Sequence, residues 1–340
     1  MAKDNHIKFY ILIEVLKQYS DEENILSKKD IDRYMKEKGY DPIVDKRTVH
    51  RYIQDLIKLG LDIEIVEKNN NYKGYYMTSH EFEPYELRIL ADCVYASKFI
   101  TKKKSEEIIN KLCKLNTIYN KYGIRKYAYI DERSKAKNEQ IFYNVENIDE
   151  AITEGKKISF KYYIYNERKE LVAKLDNKNK IKIYKVNPVA MISQRDKYYL
   201  IGESNSRIGI LSNYRIDKIK NINMLEEDID DLSHIEECKI KFNPVDYVKK
   251  SFKMYSGKET SEIVLETNKE LLGVFIDELG EDVIIEKIED NLYKVKFEAK
   301  ISQGITKWIL QLGHKVKVIY PEILIQSIKA EIEEINNLYK

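Results

Sequence analysis

At 340 residues, with 43% hydrophobic and 34% charged side chains, the chain is too long for one ordinary core and too mixed to be disordered or membrane-embedded, so two or three globular units are expected. A formal net charge of +2 removes any whole-chain electrostatic case for a polyanionic partner and leaves only local basic surface to carry one. Met1-Ala2-Lys3-Asp4-Asn5-His6 leads into an amphipathic stretch without the apolar core of a signal peptide, and no later run is apolar enough to span a bilayer. The expectation is a soluble, cytoplasmic protein.

Ile7, Tyr10, Ile11, Ile13, Leu16 and Tyr19 recur at helical spacing and predict a first helix that ends at the polar run 20–24. Ser27 followed three residues later by Asp30 marks the start of a second helix, which Gly39 stops near Lys38. A third runs from Lys46 to Leu59, with Val49, Tyr52, Ile53 and Leu56 as its inward stripe and Gly60 closing it. Leu61–Val66 and Gly74–Met77 then read as two strands around a polar, Asn-rich tip. Three helices followed by a hairpin make a winged helix-turn-helix over residues 1–80.

Pro84, Leu87, Leu90, Ala91, Val94 and Phe99 predict a long helix that continues beyond Thr101 to Leu112. Arg125–Asn138 reads as an exposed charged connector, so residues 81–140 form a helical linker or dimerisation region, with a domain boundary near 140 and a short helix around Ile148–Ile152. Beyond Gly155 the pattern turns to strands, at Lys157–Tyr165, Lys180–Ser193, Lys197–Glu203, Ile208–Tyr214 and Ile216–Met224. From Cys238 strands at Ile263–Glu266, Val283–Glu286, Tyr293–Ala299 and Lys315–Ile319 alternate with helices at Lys269–Leu279, Ile301–Leu312 and Glu322–Leu338, a compact α+β arrangement. The whole is a multidomain α+β chain.

Lys46, Arg47, Arg51 and Lys58 face away from the apolar stripe of the third helix, a local basic excess that the total charge conceals. Major-groove readers set the N-terminal part of such a helix against base edges, where Arg or Lys donates to guanine and Thr meets a methyl group. Lys46, Arg47, Thr48, His50 and Arg51 are therefore the candidate contacts to double-stranded DNA. Basic residues also simply solubilise helices; here the helix lengths, the Gly60 stop and the following hairpin favour the DNA reading. At the tip, Asn71 and Lys73 suit either phosphate contact or turn formation.

At Lys46-Arg47-Thr48-Val49-His50-Arg51-Tyr52-Ile53-Gln54-Asp55-Leu56 the chain resembles the recognition helix of bacterial transcription regulators that join a winged helix to a WYL domain. The likeness continues through Ile158-Ser159-Phe160-Lys161-Tyr162, Asn187-Pro188, Tyr198-Tyr199-Leu200 and Tyr214-Arg215-Ile216-Asp217-Lys218-Ile219, in the order and spacing of that family. It implies an Sm-like β-barrel at 141–232 that binds a nucleotide or single-stranded nucleic-acid effector, in a regulator that works as a homodimer. Trp308–Gly313 and Lys315–Glu322 resemble the family's C-terminal extension, which implies a ferredoxin-like domain at 236–340. Tyr198 stands where the name-giving Trp is usual, and Ser212 and Lys218 where arginines are common, so the ligand or its affinity is expected to differ.

Lys161, Tyr162, Tyr198, Tyr199, Arg215 and Lys218 are the candidate effector contacts, since stacking rings beside cations suit an anionic, base-containing ligand. Strand alternation puts one of Tyr198 and Tyr199 inside and the other outside, so at least one is packing alone. Trp308, on an amphipathic helix, reads as core. Cys93, Cys113 and Cys238 have no CxxC spacing, and His6, His50, His80, His234 and His314 lie far apart. With no HExxH, serine elbow or phosphate-cradling glycine loop, neither metal, cofactor nor catalysis is expected. Three readings remain open: an effector-responsive DNA-binding regulator, which the basic helix favours, an accessory protein that binds nucleic acid or modulates a nucleic-acid enzyme, and a structural oligomer.

Overall fold

The computed structural model describes residues 2–68, 71–119, 135–136, 138–257 and 259–340. It divides into two compact units, 1–136 and 137–340. Among the described residues no helix is long and apolar enough to cross a membrane.

The first unit opens with α1 (Ala2–Tyr19), α2 (Lys28–Glu37) and α3 (Lys46–Lys58), followed by a hairpin of β1 (Ile63–Lys68) and β2 (Asn71–Met77). Ser27 and Asp30 cap α2 reciprocally, the Ser27 side chain accepting from the Asp30 amide and the Asp30 carboxylate accepting from the Ser27 amide. Leu12, Val15 and Leu16 from α1, Ile31 and Met35 from α2, and Val49, Ile53 and Leu56 from α3 share one core with Ile63, Tyr75 and Met77 of the hairpin. Leu26 and Tyr75 exchange two backbone hydrogen bonds of 2.9 Å each, which ties the α1–α2 connection to β2. That approach needs Gly74: a Cβ there would stand 2.6 Å from the Leu26 carbonyl oxygen.

The long helix expected from Pro84 is two helices, α4 (Pro84–Ala96) and α5 (Lys102–Leu112). Ser97 is extended, with ψ at 118°, and the Thr101 hydroxyl caps α5 by accepting from the Lys104 amide. Leu87, Ala91 and Tyr95 form the buried face of α4, while Leu90, expected on it, is exposed. Most of the charged connector expected at 125–138 lies outside the described residues.

The second unit begins with α6 (Ile141–Glu154), longer than the short helix expected there. A six-stranded antiparallel sheet follows in the order β4-β3-β5-β6-β7, formed by β3 (Lys156–Tyr165), β4 (Leu171–Ala173), β5 (Ile183–Gln194), β6 (Lys197–Ser204) and β7 (Arg207–Arg215), with β8 (Ile219–Asp228) paired to β3. A single turn of 3-10 helix, Ile216–Lys218, stands where a continuous strand was expected. The Asn138 and Asn144 amides pin that turn, each donating to the Ile219 carbonyl at 3.0 and 2.7 Å.

The chain then passes through α7 (Pro244–Lys250) into β9 (Thr260–Thr267), α8 (Leu272–Leu279), β10 (Ile284–Glu289), β11 (Leu292–Lys300), α9 (Gln303–Gln311), β12 (Val316–Tyr320) and α10 (Glu322–Leu338). Its four strands are all antiparallel, ordered β10-β11-β9-β12. Trp308 is buried on that sheet, edge-on to Phe275 at 5.6 Å. An apolar cluster of Ile201, Leu211, Ile235, Tyr247 and Met254 packs the segment after β8 onto β6 and β7. Beside it the Tyr247 hydroxyl donates to Asn213 Oδ1 at 2.9 Å and the Asn213 amide donates to the Met254 carbonyl at 3.0 Å.

The junction after β8 is held by a polar network. Buried Glu203 of β6 faces the Nε2 of His234 at 2.7 Å and accepts from the Gly209 amide, also at 2.7 Å. Asn187 of β5 joins in, donating to Asp230 at 3.1 Å and accepting from the Asp230 amide.

Candidate functional site

Successive helical residues turn by about 100°, which places Lys46, His50, Gln54, Arg47, Lys58 and Arg51 within one arc of α3, opposite Tyr52, Leu56, Val49 and Ile53. The latter four are buried, while Lys46, Arg47, Arg51 and Lys58 are exposed. Asp45 caps the helix, accepting from the Thr48 amide at 2.8 Å and the Thr48 hydroxyl at 2.9 Å. Those bonds hold the Asp45 carboxyl below the usual carboxylate range.

The helix thus begins cleanly, at the cost of committing the Thr48 hydroxyl to the cap and leaving its methyl as the group that can meet another surface. The Arg51 guanidinium lies 5.6 Å from the Tyr52 ring. His50 is half-buried, its ring 6.4 Å from that of Tyr75, so it packs at the seam between α3 and the hairpin. Asn71 and Lys73 belong to β2 by backbone, but their side chains lie outside the described residues. Gln54, half-exposed in the middle of the basic arc, was not singled out from the sequence. Its position in that arc was the available signal.

In the second unit, Phe160 and Tyr162 of β3, Tyr184 of β5 and Tyr214 of β7 gather on one face of the sheet, because alternate residues of a strand point the same way. Their ring centroids lie 5.2 to 6.0 Å apart in edge-on and stacked pairs. A cavity of about 260 Å³ opens beside them, lined by Tyr162, Tyr184 and Tyr214, by the cations Lys174, Lys182 and Arg207, and by Ser212. Lys182 Nζ sits 4.7 Å over the Tyr184 ring. Burial pushes the Tyr162 phenol up to about 12, so it stays a neutral hydroxyl at any physiological pH. Ser212 is almost fully buried, and its Oγ has no hydrogen-bond partner among the described residues. A buried hydroxyl of that kind costs free energy unless a polar group meets it.

Of the six residues nominated from the sequence, the cavity gathers only Tyr162. Lys161 is on the opposite face of β3, paired in register with Lys220. Lys218 lies 5.7 Å over the Tyr165 ring, its pKa lowered by burial and by the nearby Arg215 charge. Arg215 makes a bidentate pair with Asp217, Nε to Oδ1 at 3.0 Å and Nη2 to Oδ2 at 2.6 Å. Burial disfavours its charge, but the Asp217 bonds more than offset this and hold its pKa above the usual arginine value. Arg215 is thus an internal strut, and its amide donates to the Tyr162 hydroxyl at 3.3 Å. Tyr199, opposite Arg215 in the ladder, packs against the cluster that holds the segment after β8 on β6 and β7. Tyr198, the preceding residue of β6, pairs with Ser193. Lys174, Lys182 and Arg207 escaped the sequence reading because they flank turns rather than any recognisable motif.

Residues 143–224 match the family model of the WYL domain, and residues 259–335 that of the WCX domain. Among solved structures the chain is similar to proteasome accessory factor B/C (PafBC) of Arthrobacter aurescens, at 15% identity and a TM-score of 0.28, over 96% of this chain and 48% of that one. The chain therefore spans about half the length of that protein. No curated protein matches it.

Proposed function

We propose that this chain, which carries a WYL domain at residues 143–224 and a WCX domain at residues 259–335, is a transcription regulator that binds duplex DNA through α3 and responds to an anionic, base-containing effector held in its WYL domain. One observation carries the reading: the exposed face of α3 holds Lys46, Arg47, Arg51 and Lys58 around Gln54, while its other face is wholly committed to the core. Arg47 and Arg51 suit guanine, Gln54 suits adenine, and Lys46 and Lys58 suit phosphate. The β1–β2 hairpin is then the wing, with Asn71 and Lys73 toward phosphate and His50 supporting the helix from behind.

In the WYL domain the sheet is read as an Sm-like barrel whose cavity takes a nucleotide or a segment of single-stranded nucleic acid. The tyrosine rings stack on a base, Lys174, Lys182 and Arg207 neutralise phosphate, and the Ser212 hydroxyl meets a polar atom of the ligand. Arg215 acts through Tyr162 rather than by touching the effector. The βαββαβ order of the WCX domain is read as ferredoxin-like. As a homodimer the protein would set two copies of α3 on half-sites one helical turn, about 34 Å, apart.

The test is selection of duplex fragments by the purified chain, with affinity followed across salt concentration. A palindromic motif is expected, and Arg47→Ala or Arg51→Ala should weaken specific binding by about 1–3 kcal/mol, roughly 5- to 150-fold. Weak, sequence-blind binding that neither substitution changes would overturn this reading in favour of an accessory role.

A further inference from the structure

We infer that Val44 reads thymine: its isopropyl group, which projects just ahead of α3, meets the C5-methyl of a thymine on the floor of the major groove. This contact presupposes the duplex-binding reading above and adds an apolar element to it. At 90%, Val44 is the most exposed large apolar residue among the described residues of the first unit. Its place in the chain makes that exposure unusual. Asp45 is the N-cap of α3, so Val44 stands at N′ and Val49 at N4, the two positions whose apolar side chains commonly pack on one another at a helix start. Here Val49 is fully buried in the core and Val44 stands in solvent.

Both sequence neighbours of Val44 are fixed. Ile43, 2% exposed, belongs to the core of the three helices and the hairpin. The Asp45 carboxylate accepts from the Thr48 amide and hydroxyl. Between those anchors the chain has no slack with which to fold Val44 back onto the helix. The side chain is itself stiff, because β-branching leaves few rotamers. Val44 is therefore a rigid apolar knob held ahead of α3.

The surroundings identify what the knob meets. Lys46 and Arg47, the first two residues of α3, are exposed cations. An apolar protein partner would need a contiguous patch of several hundred Å², which one isopropyl group beside two cations does not supply. A polyanionic groove fits both features. The floor of the major groove carries one apolar group, the thymine C5-methyl, and recognition helices bring their N-terminal ends against base edges. Asp45, whose charge would repel phosphate, is turned into the helix start by its bonds to Thr48.

The test removes the methyl groups from either side of the contact. In the duplex motif that the full chain selects, each thymine is replaced in turn by deoxyuridine, which lacks only the C5-methyl. Affinity is measured for the wild-type, Val44→Ala and Val44→Ile chains. At one thymine per half-site, the replacement should weaken binding of the wild-type and Val44→Ile chains about fourfold, the value of one buried methyl group. The same replacement should leave the affinity of the Val44→Ala chain unchanged, at unchanged circular dichroism. A motif whose thymines all tolerate deoxyuridine, or an equal loss with Val44→Ala, would overturn the contact and leave duplex recognition standing. If no motif is selected, duplex recognition itself fails and the role of Val44 falls with it.

Discussion

Both ring nitrogens of His234 face acceptors: Nδ1 lies 3.1 Å from the Asp231 carbonyl and Nε2 lies 2.7 Å from the Glu203 carboxylate. Two acceptors favour the doubly protonated ring, which donates at both nitrogens. The bond to Glu203 accordingly raises the His234 pKa, against an opposing effect of burial. Asp231 on the same segment adds to the effect. A group raised in the folded state contributes stability that is present below its unfolded value of about 6.5 and is lost as pH rises through the folded value. The junction after β8 should therefore be firmest in mild acid and loosen as the pH rises through the raised His234 value. A proton NMR titration of the full chain should find His234 above 6.5, and Glu203→Gln should bring it back toward that value; a native pKa at or below 6.5 would refute the ion pair.

Among the elements, β2 depends on a single absent side chain. Gly74→Ala would drive a Cβ to 2.6 Å from the Leu26 carbonyl oxygen and 2.7 Å from Ile25 Cγ2, and overpacking against backbone costs about 1–3 kcal/mol. Denaturant unfolding of the full chain should show that loss, and an unchanged midpoint would mean that the α1–α2 connection moves freely away from β2. The inward stripe of α3 and the cap of α2 follow from residues a few places apart, which is why α3 could be read residue by residue. The break between α4 and α5 was hidden for the opposite reason: apolar spacing runs straight through it, and only the extended backbone at Ser97 and the Thr101 cap reveal two helices. Short pieces such as β4 and α7 carry too few residues to show a period.

For the molecule as a whole, β7 serves both the tyrosine-lined cavity and the contact with the segment that leads into the WCX domain. On β7, Ser212, Asn213 and Tyr214 line the cavity, Leu211 packs in the cluster with Met254 and Tyr247, and the Asn213 side chain bonds to both of those residues. A ligand that shifts β7 would therefore bear on Tyr247 and Met254, in the segment that leads into the WCX domain. Lys182→Ala combined with Arg207→Ala should weaken binding of adenosine monophosphate or a short oligothymidylate at least tenfold in calorimetry, with duplex binding by the effector-free chain unchanged. Full retention of ligand affinity would remove the cavity as the effector seat. Local periodicity, caps and turn residues were enough to establish the three-helix-plus-hairpin order, the run of strands and the buried role of Trp308, because each depends on neighbours in the chain. The makeup of the cavity depends on β3, β5 and β7 and the turns between them being folded side by side. Only that packing turned Arg215 into a strut for Asp217, put Lys161 on the far face, and assembled Lys174, Lys182, Arg207 and Ser212 around three tyrosines.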